Sequence, residues 1–251
     1  MALLEVKDLT KTFQKQGNRI TAVDHVTLEM AEGECLGLIG ESGCGKSTTA
    51  ALIARLLKED SGTIRLCGRE LTGTRSLRRA GSGLQMIFQN AQDSFDPKDD
   101  VLHGVMQGAA SYKMYNKKEL RTEGEKALRY VGLREELWVR KCRELSGGEA
   151  QRAAIARAIL CHPKLLICDE VTSALDVLVR EEILQLLLRL KREGEMGILF
   201  ITHDLPLAAR ICDRIAVMER GTIVETGPAD QVLTNPSAAE TKRLIEAILT
   251  L

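Results

Sequence analysis

The chain reads as an α/β protein built on a mixed, mainly parallel sheet. Three observations point there. Apolar runs at Cys35-Leu36-Gly37-Leu38-Ile39, at Leu165-Leu166-Ile167-Cys168 and over residues 197–202 have the length and composition of buried strands. Each is followed by a segment with helical spacing, at 47–57, 177–192 and 205–212. Strands alternating with helices build parallel sheets, with the chemistry at the strands' C-terminal ends. The third observation is a change of texture between residues 89 and 163, where helical periodicity dominates and no convincing strand occurs.

Taken in order, the first thirty residues alternate as two short strands, 3–9 and 20–30, around a polar turn at 14–18. These look antiparallel and would make the sheet mixed. The strand at 35–39 feeds straight into a glycine-rich loop. Within the helical stretch the spacing predicts helices over 117–131 and 147–161, with Asp96-Pro97 and Gly132 as punctuation. The strand at 165–168 delivers Asp169 and Glu170, and the strand at 197–202 ends at His203. The tail over 228–251 reads as two short amphipathic helices separated by Asn235-Pro236. No internal repeat, linker or low-complexity segment is visible.

Composition narrows the function classes. Over 251 residues, 44% are apolar and 28% charged, which reads as soluble and globular. Lys plus Arg and Asp plus Glu are 35 each, so no broad cationic field disposes the chain to nucleic acid. The local basic run from Arg75 to Arg79 reads as a solvated face. The seven cysteines are scattered and form no C-x-x-C pair, a pattern that fits free thiols in a reducing compartment. The N-terminus lacks signal-peptide anatomy, and apolar runs such as 183–190 are too short to span a bilayer. Work at a membrane would need another component as anchor.

The motifs carry the chemistry. Gly40-Glu41-Ser42-Gly43-Cys44-Gly45-Lys46-Ser47 matches G-x-x-x-x-G-K-S in full, with Thr48 next in the helix. Such a loop turns successive backbone N–H groups toward phosphates, and the following helix presents its positive end to the same anion. Lys46 supplies a point charge near the β- and γ-phosphates, and Ser47 offers a hydroxyl to Mg²⁺. Asp169 fits an acid that holds Mg²⁺, and Glu170 fits the base that orients the attacking water. Leu145-Ser146-Gly147-Gly148-Glu149 opens another helix with exposed N–H groups and Ser146 as N-cap. This is a second anion site, for which one chain has no obvious second phosphate. Cys44, inside the electropositive loop, is a candidate for thiol sensitivity.

The P-loop and the Leu145–Glu149 motif together resemble the ATP-binding-cassette (ABC) family over essentially the whole chain. That resemblance implies a RecA-like P-loop NTPase core, an N-terminal antiparallel β subdomain and an inserted α-helical subdomain. The core would be residues 1–89 and 163–251, and the helical subdomain 90–162. It implies that Ser146, Gly147, Gly148 and Glu149 cap the γ-phosphate of ATP bound to an opposite subunit. His203 is similar to the family's switch histidine. Gln89 resembles the Q-loop residue that contacts Mg²⁺ and the lytic water. Ser173-Ala174-Leu175-Asp176 resembles the D-loop, with Asp176 coupling two sites. Phe13 resembles the aromatic that stacks on adenine. The family's usual fifth signature residue is Gln, and Glu149 departs from it by adding a negative charge.

Several segments look like the ATPases of bacterial peptide, nickel and metallophore importers. They include the P-loop, Ser94-Phe95-Asp96-Pro97-Lys98 (with Asp96 for Asn and Lys98 for Arg), residues 166–177, residues 200–205 and a degraded tail element at 235–244. The resemblance then implies ATP and Mg²⁺ as cofactors and a peripheral place on the cytoplasmic face of the inner membrane. It further implies a second ABC ATPase subunit, in a heterodimer or a homodimer, two integral-membrane permeases docked near residues 89–102, and an extracytoplasmic substrate-binding protein. An exporter subunit and a soluble ABC ATPase outside transport stay open at this point. The cargo is not encoded in this chain.

Overall fold

The computed structural model describes residues 2–15, 18–71, 83–194 and 196–249; the basic run Arg75 to Arg79 lies outside them. The described strands form two sheets. A four-stranded antiparallel sheet has the order β2-β1-β4-β5, and a six-stranded sheet has the order β10-β9-β3-β8-β7-β6.

The chain enters through a long hairpin, β1 (Ala2–Lys15) and β2 (Asn18–Ala31). Both strands run further than the sequence suggests. Asp8 and His25 take φ values of 50° and 49°, and the pairing slips register between Val6 and Leu9. Such bulges interrupt the alternation and hide the strands' full length. Next come β3 (Cys35–Ile39), α1 (Lys46–Ile53), β4 (Ser61–Leu66), β5 (Arg69–Glu70) and β6 (Leu84–Ile87). Helix α1 stops short of the expected residue 57. Arg55 is left-handed (φ 60°), and the Leu56 and Leu57 N–H groups fold back on the Ala51 carbonyl, a left-handed helix end.

Helices α2 (Val101–Ser111), α3 (Lys117–Tyr130) and α4 (Gly147–Ile159) fill the stretch before β7 (Leu165–Asp169). The sole extended pairing among the described residues there is a bridge between Asp100 and Lys141. Then follow α5 (Val177–Arg192), β8 (Gly197–Thr202), α6 (Leu205–Ile211), β9 (Arg214–Glu219) and β10 (Thr222–Pro228). Helices α7 (Ala229–Thr234) and α8 (Ala239–Leu249) close the chain on either side of Asn235-Pro236, as the tail's pattern predicts.

The six-stranded sheet is mixed for a reason other than the expected one. The opening strands build their own sheet, and the antiparallel member is β10, paired with β9. Arg220 and Gly221, with φ of 45° and 89°, make the tight turn between them. Two successive positive φ values are what a two-residue hairpin requires. β3, β6, β7, β8 and β9 are all parallel.

Both faces of this sheet are covered, which is why its central strands β3, β7 and β8 are buried along their whole length and almost entirely apolar. Alternation sends Cys35, Ile39, Leu166, Cys168, Ile198 and Phe200 into one buried cluster with α2–α6. Leu36, Leu38, Leu165, Ile167, Leu199 and Ile201 enter another, with α1 and the antiparallel sheet. No described helix is long and apolar enough to cross a membrane.

Candidate functional site

Four parallel strands end side by side. Ile39 pairs with Thr202, Asp169 with Ile201, and Ile87 with Cys168. The residues just beyond these ends are Gly40, His203, Glu170 and Gln89. One sheet edge therefore collects the glycine-rich loop and most of the polar residues singled out in the sequence.

The loop over 40–47 is tightly wrapped. A β-carbon at Gly40 would lie 2.1 Å from the Met218 carbonyl oxygen, and one at Gly45 2.2 Å from the Ala22 oxygen. Their φ values are 155° and 114°, so shape and backbone both require glycine there. Gly45 precedes α1, and no side chain caps that helix end. The first N–H groups of a helix lack partners within the helix, and such an end suits an anion. Lys46 is buried, and its Nζ donates at 2.8 Å to the carbonyls of both Gly40 and Glu41. Cys44 is buried, its Sγ 3.8 Å from Lys46 Nζ. Glu41, Ser42 and Gly43 form the exposed rim, and Thr48 is half-buried in the first turn of α1.

Ser47 Oγ donates to Asp169 Oδ1 at 3.1 Å, bringing a hydroxyl and a carboxylate together beside the loop. Burial pushes the Asp169 carboxyl above the usual aspartate range, against the Ser47 hydrogen bond. Among the described residues no three His, Cys, Asp or Glu side chains cluster as a metal cage. A cation here would draw on the single Asp169 carboxylate, neutral oxygens and substrate phosphate, the habit of Mg²⁺.

Glu170 is held in a left-handed backbone conformation, φ 48°. A non-glycine residue there is strained, and the surroundings must enforce it. Its N–H donates to the Ile201 carbonyl at 3.0 Å, and its own carbonyl accepts from Ser173 N at 3.1 Å and Ser173 Oγ at 2.9 Å. The Glu170 carboxylate lies 3.3 Å from His203 Nδ1. Gln89 Nε2 donates to Ser173 Oγ at 3.1 Å, leaving the amide oxygen as an available ligand atom. Gln89, Ser173, Glu170 and His203 are thus one connected set. The sequence named Ser173 within a motif but gave no sign that it joins Gln89 to Glu170.

The turn at 146–149 is built by a capping box. Ser146 Oγ accepts from Glu149 N at 3.3 Å, and Glu149 Oε2 accepts from Ser146 N at 2.9 Å. The Glu149 carboxyl is lowered chiefly by that backbone hydrogen bond, and Arg134 Nη2 stands 3.7 Å away. The carboxylate is therefore folded back on the helix start and partly neutralised. Sequence reading missed Arg134, and no motif marks it. A β-carbon at Gly148 would meet Val179 Cγ1 at 2.4 Å, and one at Gly147 would meet Leu175 at 3.5 Å. The turn thus sits against the loop and helix around Asp176, whose Oδ1 caps α5 by accepting from Val179 N at 3.0 Å.

Phe13 lies on the hairpin with 38% of its surface exposed and Lys11 Nζ 5.6 Å from its ring centre. A large exposed aromatic on a strand is a ready stacking surface. Two cavities, of about 550 and 630 Å³, lie elsewhere, one beside Lys126, His162 and Lys164 and the other beside Arg152, Glu182 and Arg189. Neither cavity is lined by residues of the 40–47 loop.

Known proteins resemble this chain in sequence and in fold. Residues 23–173 match the family model for the ABC transporter. The oligopeptide transport ATP-binding protein OppF of Escherichia coli (strain K12) is 40% identical over 248 residues, covering 97% of this chain and 74% of that protein. OppF of Bacillus subtilis (strain 168) is 39% identical over 250 residues, covering 98% and 82%. A solved dimeric structure of the ATP-binding cassette MJ0796, in a post-hydrolysis state with ADP and Pi, shares the fold. Its TM-score is 0.82 at 28% identity, over 90% of this chain and 98% of that one.

Proposed function

The chain belongs to the ABC transporter family, and on that premise we propose that it is the ATP-binding and ATP-hydrolysing subunit of a membrane importer for peptides. One observation carries the mechanism: the 40–47 loop, Asp169, Glu170, Gln89 and His203 share one sheet edge, while the 146–149 turn is packed against Leu175 and Val179. On this reading the anion turn serves a nucleotide carried by a second subunit.

In this reading the loop N–H groups and Lys46 bind the phosphates, and Phe13 stacks on the adenine. Ser47, Asp169 and Gln89 would hold Mg²⁺, which supplies neutralising charge to the phosphate oxygens when bound. Glu170 accepts a proton from the attacking water, and His203, beside the Glu170 carboxylate, donates to the transferred phosphoryl group. Ser146, Gly147, Gly148 and Glu149 close over the γ-phosphate of the partner's ATP, and Asp176 lies at the seam. Residues 1–89 and 163–251 act as the ATP-binding core. Residues 90–162 act as the lobe that meets the permeases, with the contact near residues 89–102.

The protein would work at the cytoplasmic face of the membrane with a second cassette, two permeases and an extracytoplasmic binding protein. Oligopeptides are preferred to nickel or a metal chelate, because both OppF relatives carry oligopeptide transport in their names. Uptake of a radiolabelled tripeptide by the native host tests this. Loss of uptake on deletion of the gene, restored by the wild type and not by Lys46→Ala, supports the assignment. Unchanged uptake in the deletion strain overturns the peptide reading.

A further inference from the structure

Helix α5 starts after Asp176 and carries Arg180 one turn on. Its guanidinium reaches two ways. Nη2 donates to the Leu175 carbonyl at 3.3 Å, and Nη1 lies 3.5 Å from Asp204 Oδ2. Leu175 adjoins Asp176, and Asp204 directly follows His203. The third nitrogen, Nε, is buried with no acceptor. Folded proteins seldom leave such a donor unpaired, because burial without a partner is costly.

Asp204 is itself firmly placed. Its Oδ1 accepts from Leu207 N at 3.0 Å, capping α6, and its N–H donates to Thr202 Oγ1 at 3.0 Å. The segment around His203 therefore moves with Asp204. At the other end of the link, Val177 and Leu178 are 76% and 77% exposed. Two large apolar side chains stand in the open on the first turn of the helix that carries Arg180.

We propose that Arg180 is a positioning residue linking the 173–176 loop to His203 through Asp204. Contact of a partner subunit with the exposed start of α5 would then set the His203 imidazole against Glu170. The planar guanidinium suits this role, since its donors keep a fixed angle to one another, whereas a lysine ammonium is a compact point charge on a flexible stem. The proposal rests on the ATPase reading above and names a route by which a second subunit reaches the hydrolytic residues.

A mere brace between α5 and α6 would affect stability alone, so the test separates the two. Full-length wild type, Arg180→Ala, Arg180→Lys, Asp204→Asn and the Arg180→Ala/Asp204→Asn double variant are compared for ATP affinity, kcat, KM and thermal unfolding. Asn caps a helix as well as Asp, so Asp204→Asn keeps α6 capped while removing the charge that faces Arg180. The expected result is ATP affinity within about twofold of wild type, with kcat lowered about tenfold in Arg180→Ala and Asp204→Asn. The double variant should lose little more than either single one, and Arg180→Lys should recover part of the rate. Folded, ATP-binding Asp204→Asn and Arg180→Lys proteins with wild-type kcat would overturn the proposal, as would a kcat loss that simply follows the fall in unfolding temperature. A wild-type chain that neither binds nor hydrolyses ATP would instead overturn the ATPase reading on which the link depends.

Discussion

Glu170 Oε1 lies 3.3 Å from His203 Nδ1, and the two residues follow the neighbouring strands β7 and β8. The pairing of Asp169 with Ile201 brings the strand ends level, and the Glu170 N–H bond to the Ile201 carbonyl sets the turn. The strained φ of 48° at Glu170 is the local consequence. Strain held by several hydrogen bonds is how a site keeps one carboxylate aimed in one direction.

Replacing that carboxylate tests its role. Glu170→Gln is nearly isosteric and keeps the hydrogen bonds of the main chain. ATP affinity should stay within about threefold while turnover falls about 100-fold or more, the scale of a lost general base. Equilibrium nucleotide binding and steady-state phosphate release measure the two quantities. A variant that turns over near the wild-type rate would remove Glu170 from the base role.

Asp169 should show a trade between stability and function. Burial raises its carboxyl, so the ionised form is disfavoured in the folded chain. The sign follows directly. The penalty is absent in acid, where the group is protonated in both states, and appears as pH rises through the raised folded value. Asp169→Asn should therefore stabilise the nucleotide-free protein at neutral pH by about 1 kcal/mol, within the range of single stabilising changes. It should also abolish Mg²⁺-dependent hydrolysis. Thermal unfolding at pH 7 and pH 4 checks the pair of claims, since the stabilisation should shrink in acid.

Glu149 is a cap before it is a charge. Glu149→Gln can form the same capping box and should change stability by less than about 0.5 kcal/mol, whereas Glu149→Ala should cost about 1 kcal/mol. The lowered carboxyl means that the cap's ionic contribution is present at neutral pH and is lost as pH falls through a value below the ordinary glutamate range. Urea unfolding of the three proteins at pH 7 and pH 3 measures this. A Glu149→Gln variant as unstable as Glu149→Ala would show that the charge, not the hydrogen bond, sustains the turn.

Phe13→Ala should raise KM for ATP about threefold to tenfold with kcat little changed, the signature of lost uniform binding from a stacking contact. Phe13→Tyr should restore the affinity. Unchanged KM in Phe13→Ala would place the adenine elsewhere.

The sequence displays the chemistry better than it displays the outer strands. Runs such as 35–39 and 165–168 are buried on both faces, so each residue is apolar and the strand is plain. β6, β9 and β10 escape notice. β6 is an edge strand of only four residues with Gln85 in it, and β10 is half-exposed over most of its length. The Arg220-Gly221 turn was the available signal for the β9–β10 hairpin. The candidate site residues were legible one at a time because motifs mark them. What joins them was not: Ser173 between Gln89 and Glu170, Arg134 beside Glu149, and Arg180 between Leu175 and Asp204 lie far apart in sequence or carry no motif.

The most direct test of the central claim uses Glu170→Gln as a trap. The tagged variant is isolated with ATP and Mg²⁺ from detergent-solubilised membranes of the native host, and its companions are identified by mass spectrometry. The account predicts a second ABC cassette and two multi-span permeases, retained with ATP and Mg²⁺ and diminished without them. Recovery of ribosomal or DNA-repair proteins, or of the chain alone, would contradict the importer assignment and leave only the ATP chemistry.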